Sequence, residues 1–100
     1  MTSIDVDPLE QQKVERALTI FPNPTRDYID ISIDGYDLRN LSIDLIDPSG
    51  KVVTSSTHER VNSQSFTSRI NVADKGQGFY ILRFLVNDGI SINKKVILMD

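Results

Sequence analysis

From Leu18 onward, apolar residues recur at every second position, the spacing of a strand with one face on a core and the other in water. Ile29, Ile31 and Ile33 alternate with Asp30, Ser32 and Asp34, and Leu41, Ile43 and Leu45 alternate with Ser42 and Asp44. Asp47-Pro48-Ser49-Gly50 has the composition of a turn, and Lys51-Val52-Val53-Thr54 starts the strand after it. Residues Ser65 to Val72 form a weaker alternation that places Phe66, Ile70 and Val72 toward the core. Gly78 opens the most apolar run, Phe79 to Val86, which predicts a central strand buried on much of both faces, with Phe79, Tyr80 and Phe84 in the core. Asn87-Asp88-Gly89 is a hairpin signal, and Ile90 to Met99 returns as the last strand.

The pattern therefore predicts seven strands: Leu18–Phe21, Tyr28–Ile33, Leu41–Asp47, Lys51–Ser56, Ser65–Val72, Gly78–Val86 and Ile90–Met99. Short strands at intervals of roughly 8–12 residues, with no long helix among them, describe an all-β antiparallel sandwich. In Asp74-Lys75-Gly76-Gln77-Gly78-Phe79-Tyr80, a tyrosine enters the penultimate strand after an acid and glycines. That is the arrangement of a tyrosine corner, whose hydroxyl bonds back to upstream backbone in a Greek-key, immunoglobulin-like sandwich. The sandwich is expected over residues 18–100. Residues 1–17 read as a linker able to form a short helix, with Asp7 as N-cap, Pro8 at the first helical position and Glu10 three residues after the cap. Leu9, Val14 and Ala17 make no clean stripe at helical spacing, so nothing obliges that helix to pack.

Composition narrows the chemistry. The chain has 100 residues and no Cys, which removes disulfides, Cys-ligated zinc, iron–sulfur clusters and thiol catalysis together. Its single His, His58, sits among Thr57, Glu59 and Arg60 in what reads as an exposed connection; Ser55, Ser56 and Glu59 are its nearest candidate companions. Neighbours on one loop rarely make a triad, which needs a nucleophile and an orienting acid held in place. The net charge of −3 does not suit a nucleic-acid binder. The charge is divided: residues 1–50 carry ten acids against four bases, and residues 51–100 four acids against seven bases. This is either an ordinary solvated surface or a basic docking face around Lys94 and Lys95. The outward aspartates suit a soluble exposed sheet, with calcium between Asp27, Asp30 and Asp44 as the alternative. Tyr28 and Tyr36 are candidate sugar platforms, although the chain has no Trp. No phosphate loop, dinucleotide fingerprint or zinc motif is present, and neither an enzyme nor a cofactor is expected. No run reaches the ~18 apolar residues of a membrane span. The first fifteen residues, with Asp5, Asp7, Glu10 and Glu15, do not read as a secretory signal. The chain thus reads as cytosolic or as a piece of something longer.

Several short runs occur in a telling order: Ile20-Phe21-Pro22-Asn23-Pro24; Leu45 to Val53 with its Gly50-Lys51 turn; Ile70-Asn71-Val72; Gly78-Phe79-Tyr80-Ile81-Leu82-Arg83; and Gly89 followed by Lys94-Lys95-Val96-Ile97-Leu98-Met99. Together they resemble the type A C-terminal sorting domain of the type IX secretion system of Bacteroidetes, over about residues 18–100. The resemblance implies a non-catalytic immunoglobulin-like module that directs a cargo in cis across the outer membrane. On that reading the cargo reaches the periplasm by its own signal peptide, and the module is read by the outer-membrane translocon. A cell-surface sortase then removes it, leaving the cargo anchored or released. It also makes the 100 residues a fragment. Carried onto this sequence, it casts Lys94, Lys95, Val96, Ile97 and Leu98 as the segment the translocon recognises, by charge steering and edge pairing. Edge protection is the other role open to the two lysines. Pro22, Asn23 and Pro24 rigidify entry to the sandwich, Gly50 and Gly78 serve turns, Lys51 belongs to the Gly-Lys turn, and Tyr80 anchors the core. The sequence departs from the family in ending Met99-Asp100 rather than on further basic residues, and in lacking a leucine-rich stretch before Gly78. The competing function is an adhesion, carbohydrate-binding or calcium-binding sandwich.

Overall fold

The alternating segments do pair as strands. A computed structural model describes residues 8–99, in which helix α1 (Pro8–Ala17) leads directly into β1 (Leu18–Phe21). Six further strands follow: β2 (Tyr28–Leu38), β3 (Leu41–Ile46), β4 (Val52–His58), β5 (Ser63–Asn71), β6 (Gly78–Val86) and β7 (Ile90–Leu98). They form a three-stranded sheet in the order β1-β2-β5 and a four-stranded sheet in the order β4-β3-β6-β7. The strand pairs within both sheets are antiparallel. The chain changes sheet between β2 and β3, between β4 and β5, and again between β5 and β6. That interleaving is the Greek-key connectivity expected of an immunoglobulin-like sandwich.

The period of two decides what fills the space between the sheets. Ile29, Ile31 and Ile33 from β2 face Leu41, Ile43 and Leu45 from β3, with Leu82 and Phe84 from β6 beside them, all essentially without solvent contact. Each such side chain stabilises the fold by about 1.5–3 kcal/mol relative to exposure. Strand β2 runs five residues further than its alternation predicts. Gly35, at φ +80°, sits in a register shift between Asp34 and Leu38, and past it Tyr36 and Leu38 return to the core. The extra residues break the alternation that marked the strand, because a bulge changes which face each side chain takes.

Two expectations need correction. Strand β6 is buried on one face only. Phe79 is 58% exposed and Leu85 41%, because no element among the described residues covers the outer face of the four-stranded sheet. The helix also packs, with no stripe to drive it: Val14 is fully buried, and α1 touches β1 and β2 of one sheet and β7 of the other. One valine, half-buried Ala17 and a polar tie suffice, because the helix lies where it can bridge the two sheets. In that tie Tyr36 donates its hydroxyl hydrogen to Glu10 Oε1 at 2.9 Å. The expected N-cap, Asp7, lies outside the described residues.

Candidate functional site: the last strand and its clamp

Strand β7 is an edge strand, paired on one side with β6. The backbone groups of an edge strand's other side normally face water and invite another strand. Here the segment between β1 and β2 occupies them. Asn23 Nδ2 donates to the Lys95 carbonyl at 3.0 Å, while Asn23 Oδ1 accepts from the Ile97 N–H at 3.0 Å. One side-chain amide thus does what a neighbouring strand's backbone would do. Thr25 continues the pairing with its own backbone, donating to the Ile97 carbonyl at 2.9 Å and accepting from the Met99 N–H at 2.8 Å. Pro22 and Pro24 carry no N–H and flank the asparagine, leaving its side chain to make the pairing. The peptide bonds preceding both prolines are cis. Thr25 is only 4% exposed and is held in turn by its hydroxyl, which donates to the Tyr28 carbonyl. The Pro-Asn-Pro segment therefore clamps the last strand. The sequence marked Pro22, Asn23 and Pro24 but not Thr25, for which a buried polar residue in a loop leaves no periodic signal.

Within β7 the period of two splits the proposed recognition segment. Val96 is fully buried and Leu98 is 2% exposed, so both belong to the core. Lys95 and Ile97 share the outer face with Phe79 and Ile81, their partners by register being Ile81 and Phe79 respectively. The Lys95 ammonium lies over the Phe79 ring, 4.7 Å from its centroid. Lys94 pairs in register with fully buried Leu82, so it points inward and is half-buried. An inward charge on an edge strand is one of the devices that discourage further pairing. Adjacent in sequence, the two lysines serve opposite faces, so they do not form a single basic patch. The edge pairing expected of this segment is already satisfied internally from Lys95 to Met99.

The turns at this end hold β6 in register. Tyr80 is buried and donates its hydroxyl hydrogen to the Gly76 carbonyl at 2.7 Å, four residues upstream, which completes the tyrosine corner. Gly78, at φ +149°, lies where a Cβ would meet Pro48 Cγ at 3.0 Å, so a glycine there lets the start of β6 approach the β3–β4 turn without crowding or backbone strain. In that turn Gly50, at φ +91°, donates to the Asp47 carbonyl at 2.9 Å. Asp47 Oδ1 accepts from the Ser49 hydroxyl at 2.6 Å, the Ser49 N–H at 2.9 Å and the Lys51 N–H at 3.0 Å. These bonds, the Ser49 hydroxyl foremost, hold its carboxyl below the usual carboxylate range. Lys51 is exposed, beside this turn.

The other candidates separate. Asp30 lies on the outer face of one sheet, bound by the Arg69 guanidinium at 2.7 and 3.0 Å. Asp44 lies on the outer face of the other, bound to the Ser55 hydroxyl at 2.6 Å and Arg83 at 2.8 Å. Asp27, Asp30 and Asp44 do not converge, and no group of three metal-ligating side chains forms among the described residues. Tyr28 is no open platform, because Arg69 covers its ring at 3.9 Å, and Tyr36 is buried against α1. His58 lies in β4 rather than in a loop, half-buried, with Ser56 Oγ 3.3 Å from Nε2 and the Phe66 ring at 5.0 Å. No carboxylate hydrogen-bonds its ring among the described residues.

No curated protein matches the chain. A family model described as the secretion system C-terminal sorting domain matches residues 19–99, which runs from β1 through the last strand and takes in the clamp, the corner and both turns. The chain accordingly belongs to the secretion system C-terminal sorting domain family, the sorting domains of type IX secretion.

Proposed function

We propose that this domain directs a cargo fused to it in cis from the periplasm across the outer membrane, without catalysis of its own. It is read there by the type IX translocon and then removed by a cell-surface sortase. The observation that carries this reading is the family match over residues 19–99, nearly all of the sandwich. The fold agrees with a signal that must persist as a folded body. Asp30 and Asp44 are paired with Arg69 and Arg83, Asp47 is held within its turn, and the last strand is held on both edges from Lys95 onward.

The test fuses all 100 residues behind a reporter carrying a signal peptide, in a host with type IX secretion. Reporter in the medium or on the cell surface supports the function, and reporter confined to the periplasm refutes it. Deleting the residues from Lys94 onward is a poor control. It removes Val96 and Leu98 from the core, at about 1.5–3 kcal/mol each, from a domain whose whole stability is of order 5–15 kcal/mol. Exchanging Lys94 and Lys95 for Gln leaves Val96 and Leu98 in place and asks whether the two charges steer docking; unchanged export would remove that role.

A further inference from the structure

The clamp and the period of two together limit what a partner can read on the last strand. From Lys95 to Met99 the backbone edge is taken by β6 on one side and by Asn23 and Thr25 on the other. Val96 and Leu98 are inside. What this segment still presents is the outward side chains of Lys95 and Ile97, with Met99, 46% exposed, beyond them. These do not stand alone. Ile97 is paired with Phe79, Ile81 lies two residues along β6, Ile46 pairs with Ile81, and Val52 pairs with Ile46. Phe79 is 58% and Val52 42% exposed, with the isoleucines half-buried. A continuous apolar strip thus crosses all four strands of one sheet, closed on one side by the polar row Ser55–Asp44–Arg83. Lys95 stands over its aromatic centre with no carboxylate partner among the described residues. Apolar area with an aromatic at its centre and a polar border is the anatomy of a protein interface.

We propose that this strip, centred on Phe79 and Ile97, is where the folded domain docks on the export machinery. Its partner is a protein surface with an apolar cluster beside a carboxylate that pairs with Lys95. The proposal rests on the sorting function above and names the surface and the partner's chemistry. Charge decides against the other occupants. A lipid surface is held by clusters of basic residues, whereas this chain carries a net charge of −3 and the strip offers Lys95 with Lys51 at its border, beside Asp47. A second copy set face to face about a two-fold axis brings the same strip, with no free carboxylate among its described residues to answer Lys95.

The experiment uses the reporter fusion of the full chain with the paired exchange Phe79→Thr and Ile97→Thr, which removes apolar surface while keeping strand-forming residues. Export is expected to fall about ten-fold, as for loss of an interface centre, with the reporter accumulating in the periplasm and the melting temperature of the purified chain kept. Lys95→Glu, at an exposed side chain that lies over the Phe79 ring, is expected to lower export in the same direction, and Lys95→Arg to preserve it. This arm also stands if the paired variant melts early. Export by both Phe79→Thr/Ile97→Thr and Lys95→Glu at the parent level overturns the proposal, as does Asn23→Ala raising export while the strip variants have no effect. Binding of the purified chain to phosphatidylglycerol vesicles that the paired exchange abolishes assigns the strip to membrane instead. A concentration-dependent dimer in sedimentation that the same exchange abolishes assigns it to self-association. Both outcomes overturn the proposal. Failure of the unaltered fusion to leave the cell is a different result, because it removes the sorting function itself.

Discussion

Replacing Asn23 by Ala takes away two hydrogen bonds at once, the one to the Lys95 carbonyl and the one from the Ile97 N–H, both 3.0 Å long. A typical intramolecular hydrogen bond contributes about 0.5–1.5 kcal/mol net, so the pair is worth about 1–3 kcal/mol. The lower half of that range applies here, because Asn23 and Lys95 are exposed and water can take up the freed groups. A loss of about 1–2 kcal/mol lowers the melting temperature by roughly 4–16 °C for a domain of this size. Thermal melting supplies the magnitude, and amide hydrogen exchange supplies the location. Backbone groups of consecutive residues face opposite sides of an antiparallel strand, so the Ile97 amide bonds Asn23 while the Val96 amide faces β6. In Asn23→Ala the Ile97 amide should lose protection and the Val96 amide should keep most of its own. Equal loss at both sites would mean that the strand opens as a unit. An unchanged Ile97 amide in a protein of unchanged stability would refute the clamp.

Further outcomes follow from the same geometry. Tyr80→Phe deletes the 2.7 Å bond to the carbonyl of Gly76, an exposed residue that water can reach, so denaturant melts should show a loss of about 0.5–1.5 kcal/mol with an unchanged slope. Gly78→Ala forces a methyl to 3.0 Å from Pro48 at a positive φ, and should cost about 1–3 kcal/mol in the same assay. Val14→Asp buries a charge where α1 meets the sandwich, so limited proteolysis should cut the helix away before the strands; simultaneous cutting would mean that the helix and sandwich unfold together. For pH, hydrogen bonds from Arg69 to Asp30, from Ser55 and then Arg83 to Asp44, and from Ser49 to Asp47 depress all three carboxyls. A folded-state pKa below the unfolded 3.8 means that their stabilisation is complete above that value and lost as pH falls through the depressed range. Urea midpoints should therefore drop below about pH 4, less steeply in Arg83→Leu. At the alkaline end burial, reinforced by Glu10, raises the Tyr36 pKa, so its stabilisation holds below 10.0 and fades as pH climbs through the raised value, an effect Tyr36→Phe should remove.

Much of the architecture was legible in the chain because a strand's period and a turn's chemistry are local. Ile29-Ile31-Ile33 and Leu41-Ile43-Leu45 name their inward faces without any partner, and all six are buried. Tyr80 after its glycines announces the corner before the bond to Gly76 is seen. Elsewhere the local pattern was ambiguous or silent. The apolar run of β6 looks the same whether its second face is covered or bare, and only the sheet order β4-β3-β6-β7, with no layer outside it among the described residues, leaves Phe79 and Leu85 exposed. Helix α1 carries too little apolar surface to advertise packing, yet the fold brings both sheets within its reach.

What the sequence determined by itself is therefore the sandwich, its seven strands and its membership among sorting domains, since these depend on residue types at short spacing and on their order. What only the tertiary structure decided is how the last strand can be used. Asn23 and Lys95 are 72 residues apart, and no short-range pattern says that a side-chain amide will close an edge at that distance. Nor does Lys94-Lys95 reveal that its two charges part to opposite faces until β6 sets the register. The edge that sequence reasoning offered to a partner is spent within the domain, and the outer face it counted as core is left open.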